Sequence, residues 1–286
     1  MSQITFDDAQ IGGVKIHYAK AGSGEKLVVL LHGFPEFWYS WRHQLAALSD
    51  QYTVVAPDLR GYNLSDKPEA VADYKIDKLV DDVCGLIEHL GYEKAAIVGH
   101  DWGAIIAWAV AETHPEYVSK LCALQVPPSS VWRKNLSGKQ LLASWYMFFF
   151  QLPFLPEWLL SRDDFAGLMG ILKKLSVEPG VFSRADIAEY KKSWREPPNI
   201  SPLINYYRAD FLKKFLTGDA NREKIKVPTL FIYGEKDTAV LPETVKNVGD
   251  AVDAPFSEIR IPDAGHWVQQ EAAEIVTDSL REFLAE

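Results

Sequence analysis

The chain has 286 residues, with 30 lysines and arginines against 39 aspartates and glutamates, for a net charge of −9. Its 48% hydrophobic and 24% charged residues are a globular composition, which excludes disordered and low-complexity classes. The acidic balance lacks the positive field that a nucleic-acid backbone or an anionic lipid surface demands, so neither is an expected partner.

Residues 1–18 have no basic start followed by an apolar run, so no secretory signal is read and a cytoplasmic setting is expected. Candidate strands follow at 14–20, 27–31, 52–56, 95–99 and 121–124, with amphipathic helical stretches between them, such as 76–90. This alternation implies βαβ units on a mostly parallel sheet. The segment Gly22-Ser23-Gly24-Glu25-Lys26 has neither GxGxxG nor phosphate-loop spacing and reads as a loop. Cys84 and Cys122 each sit in an apolar run, where a free thiol behaves as a small hydrophobe. From 127 onwards strand patterns vanish, aromatic residues crowd together, and Pro153, Pro156, Pro179, Pro197 and Pro198 punctuate helical periodicity. Its greasiest part, 145–160, is interrupted by Gln151, Pro153, Pro156 and Glu157 and is too short to span a membrane. Strand patterns return at 229–233 and 258–261. The expected organisation is a core part over 1–126, a helical insert over 127–214 and the rest of the core over 215–286.

The sharpest motif is Gly99-His100-Asp101-Trp102-Gly103, which lies directly after a strand pattern and directly before the helical run 104–113. Small residues at both ends of such a turn let a strained elbow present its central side chain at the sheet edge. That side chain is Asp101. Leu30-Leu31-His32-Gly33-Phe34-Pro35 ends another buried strand. A turn there can aim the backbone N–H of Phe34 at a reacting oxygen, beside the N–H of Trp102, as an oxyanion hole. Asp237 follows the strand at 229–233 and His266 follows the last one, giving the chain order nucleophile, acid, base. The histidines otherwise show no HExxH and no cysteine pair, so no metal site is expected.

These motifs resemble the α/β-hydrolases over essentially the whole chain. The resemblance implies a mostly parallel twisted sheet flanked by helices, with a helical cap inserted after the sixth strand. An aspartate at the elbow is similar to the epoxide hydrolase and haloalkane dehalogenase branch. Within it, the run His32-Gly33-Phe34-Pro35-Glu36-Phe37-Trp38-Tyr39-Ser40-Trp41-Arg42 and Asp58-Leu59-Arg60-Gly61-Tyr62 resemble epoxide hydrolases.

Aspartate suits that chemistry. A serine that opened an epoxide would leave an ether, whereas a carboxylate leaves an ester that water activated by His266 can cleave. Asp237 would orient the imidazole and stabilise the imidazolium. The helix starting after the elbow points its positive end at Asp101 and favours its ionised form. The leaving group separates the two enzymes: an opening epoxide needs O–H donors, a departing halide N–H donors. In epoxide hydrolases two cap tyrosines serve, one five residues before a Gln and one directly before an Arg. Tyr146 lies five residues before Gln151, and Tyr207 precedes Arg208.

The resemblance therefore implies an epoxide hydrolase that needs no cofactor and takes a small apolar epoxide and water. Candidate substrate contacts are Phe34, Pro35, Trp102, Trp145, Phe149 and Trp267. A dehalogenase is the alternative, with Trp102 and a cap tryptophan, Trp145 or Trp194, offering indole N–H groups to halide. However, Phe34 stands where many dehalogenases carry Asn, and the loop Gln125-Val126-Pro127 has no carboxylate where some of them take their acid. A non-catalytic receptor on the same fold is a third reading, but it would be expected to lose a triad or tyrosine position, and none is missing. Ala104 and Asn63 depart from common glycines of the family without touching the chemistry. Asp58 is expected to be a structural turn residue and His100 a packing neighbour of the elbow.

Overall fold

The computed structural model describes residues 3–198, 200–211 and 223–285. Its strands are β1 (Thr5–Ile11), β2 (Val14–Ala21), β3 (Leu27–Leu31), β4 (Thr53–Pro57), β5 (Ala95–His100), β6 (Val118–Leu124), β7 (Thr229–Gly234) and β8 (Phe256–Ile261). They form one sheet in the order β1-β2-β4-β3-β5-β6-β7-β8. β2 pairs antiparallel with both its neighbours, and every pairing from β4 to β8 is parallel. All expected strands are present, most extended by one to three residues. β1 was not expected. Of its residues only Ala9 and Ile11 are buried, so it has almost no apolar alternation, and pairing with β2 along its whole length holds it in place.

The parallel strands are apolar on both faces because helices cover both. Leu27, Val29 and Leu31 of β3 pack with Leu79 and Val83 of α2 (Ile76–His89) and with Ile106 and Val110 of α3 (Trp102–Thr113). Val28 and Leu30 face the other way, toward Leu45 and Leu48 of α1 (Arg42–Leu48) and Val276 and Leu280 of the C-terminal helix Ala273–Ala285. β3 lies between β4 and β5. From it the chain first steps to one side through α1, then crosses to the other through α2. The strand order thus reverses at β3 and β5, and the loops after these two strands diverge to leave a crevice at their C-terminal ends. The parallel register pairs Leu31 with Gly99, so His32 to Phe34 emerge beside His100 to Trp102.

Between β6 and β7 the described residues contain helices and no strand: α4 (Ser129–Lys134), α5 (Gly138–Ala143), α6 (Trp145–Phe149), α7 (Leu155–Leu175), α8 (Arg184–Trp194) and α9 (Ser201–Tyr206), followed by a π-helical turn over Tyr207–Phe211. The expected boundary at 214 lies outside the described residues. Trp132, Met147, Phe150, Trp194 and Tyr207 of this insertion join the same apolar core as Phe34 and Trp102. The insertion therefore packs over the crevice.

Candidate active site

Asp101 sits between β5 and α3 with φ 51 and ψ −115, a strained conformation for a residue with a Cβ. Close packing enforces it. A Cβ on Gly99 would lie 2.2 Å from the Gly103 carbonyl oxygen, and one on Gly103 would lie 2.1 Å from that of Leu31. The elbow therefore rests directly on the neighbouring strand. Gly33 is needed for the same reason, since a Cβ there would come within 2.4 Å of Asp101 Cβ.

The Phe34 N–H donates to Asp101 Oδ1 at 2.9 Å. His32 sets this loop. Its Nδ1 lies 2.9 Å from the Gly33 carbonyl oxygen, and its Nε2 accepts from the Leu59 N–H at 3.0 Å. Complete burial pulls its pKa down to about 4, so the ring is neutral and its proton stays on Nδ1. The Phe34–Pro35 peptide is cis. Trp102 opens α3, and the first N–H groups of a helix have no intrahelical acceptor.

The other oxygen of Asp101, Oδ2, is 3.7 Å from His266 Nε2. His266 Nδ1 is 2.8 Å from Asp237 Oδ2. Asp237 is buried and fully satisfied: Oδ1 accepts from the N–H groups of Ala239 at 2.7 Å and Val240 at 3.0 Å, and Oδ2 also accepts from Gln125 Nε2 at 2.7 Å. Burial alone would lower the His266 pKa, but the charge of Asp237, its hydrogen bond and the charge of Asp101 outweigh it and push the value up to about 9.

Two tyrosines of the insertion pack together beside this group. The Tyr207 ring is 5.4 Å from Phe34, 5.2 Å from Trp102 and 5.9 Å from Tyr146. Burial, followed by the negative charge of Asp101, raises the pKa of both tyrosines far above the ordinary phenol value, so both stay protonated. For Tyr207, its interaction with the Trp102 side chain works against that rise. Gln151 and Arg208 tie the two tyrosine segments together. Gln151 Nε2 donates to the Tyr207 carbonyl oxygen at 2.8 Å, while Arg208 Nε donates to the Phe150 carbonyl oxygen at 2.8 Å and Nη2 to that of Leu152 at 2.7 Å.

The remaining expected contacts divide. Phe34 and Trp102 lie in this cluster, and Phe149 is half-buried beside Phe150 at 6.0 Å. The Pro35 carbonyl accepts from the Trp194 indole at 2.8 Å, so that N–H is already engaged. Trp145 is 58% exposed, its ring 5.7 Å from that of Phe149. Trp267 is completely buried behind His266, its ring 4.8 Å from the imidazole and its indole N–H donating to the Leu172 carbonyl at 2.9 Å.

The alpha/beta hydrolase fold family matches this chain over residues 26–273. The AB hydrolase superfamily protein YfhM of Bacillus subtilis is 40% identical over 95% of each chain. Epoxide hydrolase A of Mycobacterium tuberculosis is 33% identical over 95% of this chain and 94% of its own. A crystal structure of Bacillus megaterium epoxide hydrolase with an inhibitor aligns over 98% of this chain and 100% of that one, at 34% identity and a TM-score of 0.87. The chain belongs to the epoxide hydrolase family of α/β-hydrolases. It is a hydrolase.

Sequence reasoning missed part of what surrounds this hydrolase site. His100 is more than a packing neighbour of the elbow. Its Nε2 donates to the His266 carbonyl oxygen at 2.8 Å and its Nδ1 meets Glu36 Oε2 at 3.0 Å, all fully buried. Gln269 Nε2 and the Tyr190 hydroxyl, each at 3.1 Å, donate to the same Glu36 carboxylate. In the sequence Glu36 stands only within the run from His32 to Arg42, and its partners come from segments far away in the chain. Asp58 does hold a turn: it accepts from the Trp38 N–H at 3.1 Å and from Asn63 Nδ2 at 2.8 Å. Gln125 drew attention only for not being a carboxylate.

Proposed function

We propose that this chain hydrolyses an apolar epoxide to a vicinal diol through an ester on Asp101, with residues 127–214 as the cap and 1–126 with 215–286 as the catalytic core. The observation that carries the reading is the placement of two phenols, Tyr146 and Tyr207, with rings 5.9 Å apart and Tyr207 packed against Phe34 and Trp102, the residues beside Asp101; burial keeps both protonated. Opening an epoxide at neutral pH needs such donors at the oxygen.

In this reading Asp101 Oδ2 attacks a ring carbon and the C–O bond of the epoxide breaks. The freed oxygen takes a proton from a tyrosine. Oδ1 becomes the ester carbonyl oxygen, already held by the Phe34 N–H. Water then adds to the ester carbon and gives its proton to His266 Nε2, and the oxyanion on Oδ1 is held by the Phe34 and Trp102 N–H groups. Collapse breaks the Cγ–Oδ2 bond, His266 returns the proton to the departing oxygen, and the water oxygen stays on Asp101. The regenerated carboxyl releases the proton that the tyrosine regains. Phe34, Pro35, Trp102 and Phe149 are the substrate contacts this scheme favours, and Trp267 supports the base from behind. A cytoplasmic setting remains part of the proposal; among the described residues no helix is long and apolar enough to cross a membrane.

Halide release is less well supported, since the indole of Trp194 serves Pro35 and Trp145 is exposed. The test is a paired assay of diol formation from an aromatic epoxide and halide release from a bromoalkane of similar size. Diol without halide is expected, with the Tyr146→Phe, Tyr207→Phe double variant about 10²-fold or more slower. Halide without diol, or an unchanged double variant, refutes the assignment of the tyrosines.

A further inference from the structure

We propose that Gln125 is a positioning residue that holds Asp237 and the His266 loop in register for ester hydrolysis. Gln125 is the first residue after β6 and is completely buried, at φ 68, a left-handed conformation uncommon for a residue with a Cβ. Its own N–H donates to the Ile232 carbonyl of β7 at 3.0 Å. Its side chain then makes three contacts across two further loops. Nε2 donates to Asp237 Oδ2 at 2.7 Å and to the Gly265 carbonyl oxygen at 2.9 Å, and Oε1 accepts from the Gly234 N–H at 2.6 Å.

Only an amide of this length fits that pattern of two donors and one acceptor. A carboxylate would face Asp237 and a carbonyl with no proton to give. A thioether would take their side-chain partner from the Gly265 carbonyl and the Gly234 N–H and leave Asp237 Oδ2 with His266 alone. Asp237 Oδ2, which accepts from Gln125, is also the oxygen paired with His266 Nδ1. With Oδ1 pinned by two backbone N–H groups, the Gln125 bond fixes the rotation of the carboxylate plane. Its second bond, to Gly265, reaches the residue directly before His266. One side chain thus sets both the acid and the base, and the step that needs their alignment is water attack on the ester rather than opening of the epoxide.

This inference rests on the ester mechanism proposed above, and the experiment separates the two. The purified full-length wild type and the Gln125→Met and Gln125→Asn variants are mixed with styrene oxide in single turnover and quenched. Mass spectrometry of the peptide bearing Asp101 then gives rate constants for ester formation and decay. Asn tolerates left-handed backbone better than most residues but is one methylene short, so it keeps the fold accessible while losing the reach. Both variants are expected to form the ester near the wild-type rate. Its decay should slow about tenfold or more, the rate equivalent of one charge-assisted hydrogen bond. A purely structural Gln125 would lower the melting temperature or the labelled fraction and leave the decay constant per labelled site unchanged, and that result in either variant overturns the proposal. No adduct on wild-type Asp101 would instead overturn the ester mechanism, and this proposal with it.

Discussion

Replacing Asp101 with Ala removes the charge that lies 3.7 Å from His266 Nε2. Two unit charges at 3.7 Å attract by about 2–4 kcal/mol at an effective dielectric of about 20–40, equivalent to about 2–3 pKa units. The imidazole pKa, pushed up to about 9 in the intact site, should therefore fall to about 6–7 in the variant. In the proposed mechanism, ester formation on Asp101 would neutralise the same charge. The imidazolium, its pKa lowered, would give its proton to solvent and become a neutral base just when water needs one, and no movement of the protein is required. Proton NMR of the imidazole Cε1–H, assigned by its loss in His266→Gln, follows the titration in wild type and Asp101→Ala. In wild type, the decay of the ester should rise with pH to a plateau with its midpoint at the lower value. A His266 titration within about half a unit in the two proteins would refute the argument that this charge helps to hold the base protonated.

Three further outcomes are expected. Gly33→Ala puts a methyl group 2.4 Å from Asp101 Cβ, so ester formation should fall about 10²-fold, while a near-wild-type rate would mean that the loop gives way freely. Arg208→Leu removes the bonds to the Phe150 and Leu152 carbonyls and should slow epoxide opening more than ester decay; equal slowing of both steps would contradict a brace acting through the tyrosines. Finally, His266 has a folded pKa raised from 6.5 to about 9. The stability it contributes, on the order of 3 kcal/mol, is fully present below about pH 6.5 and lost as pH rises through 9. Denaturant unfolding of wild type against His266→Gln checks this, and parallel stability profiles would contradict it.

Several features are legible in the chain because their causes are local. The elbow needs small residues at fixed spacing on either side of Asp101, and the strand before it and helix after it have their own periodicities. The β3 turn reads for the same reason. The late acid and histidine are each marked by the strand they follow. Even the Gln and Arg that flag Tyr146 and Tyr207 have a local spacing, although its reason is tertiary: each residue reaches across to the other tyrosine's segment. Local pattern fails where a residue's partner lies far along the chain. β1 has too little apolar alternation to read as a strand and exists because β2 offers it a paired edge. The aromatic insert reads as apolar throughout, yet packing turns Phe150 into the core and leaves Trp145 and Phe154 exposed. Glu36, His100 and Gln269 meet only because the loop after β3, the end of β5 and the segment after β8 converge behind His266. Gln125 is equally silent, since an amide after a strand has no meaning until the fold brings a carboxylate and a carbonyl to its nitrogen. The sequence by itself determined which groups could react. Tertiary structure decided which polar side chains hold those groups still, because a buried hydrogen bond depends on the position of both partners and a sequence pattern records only one.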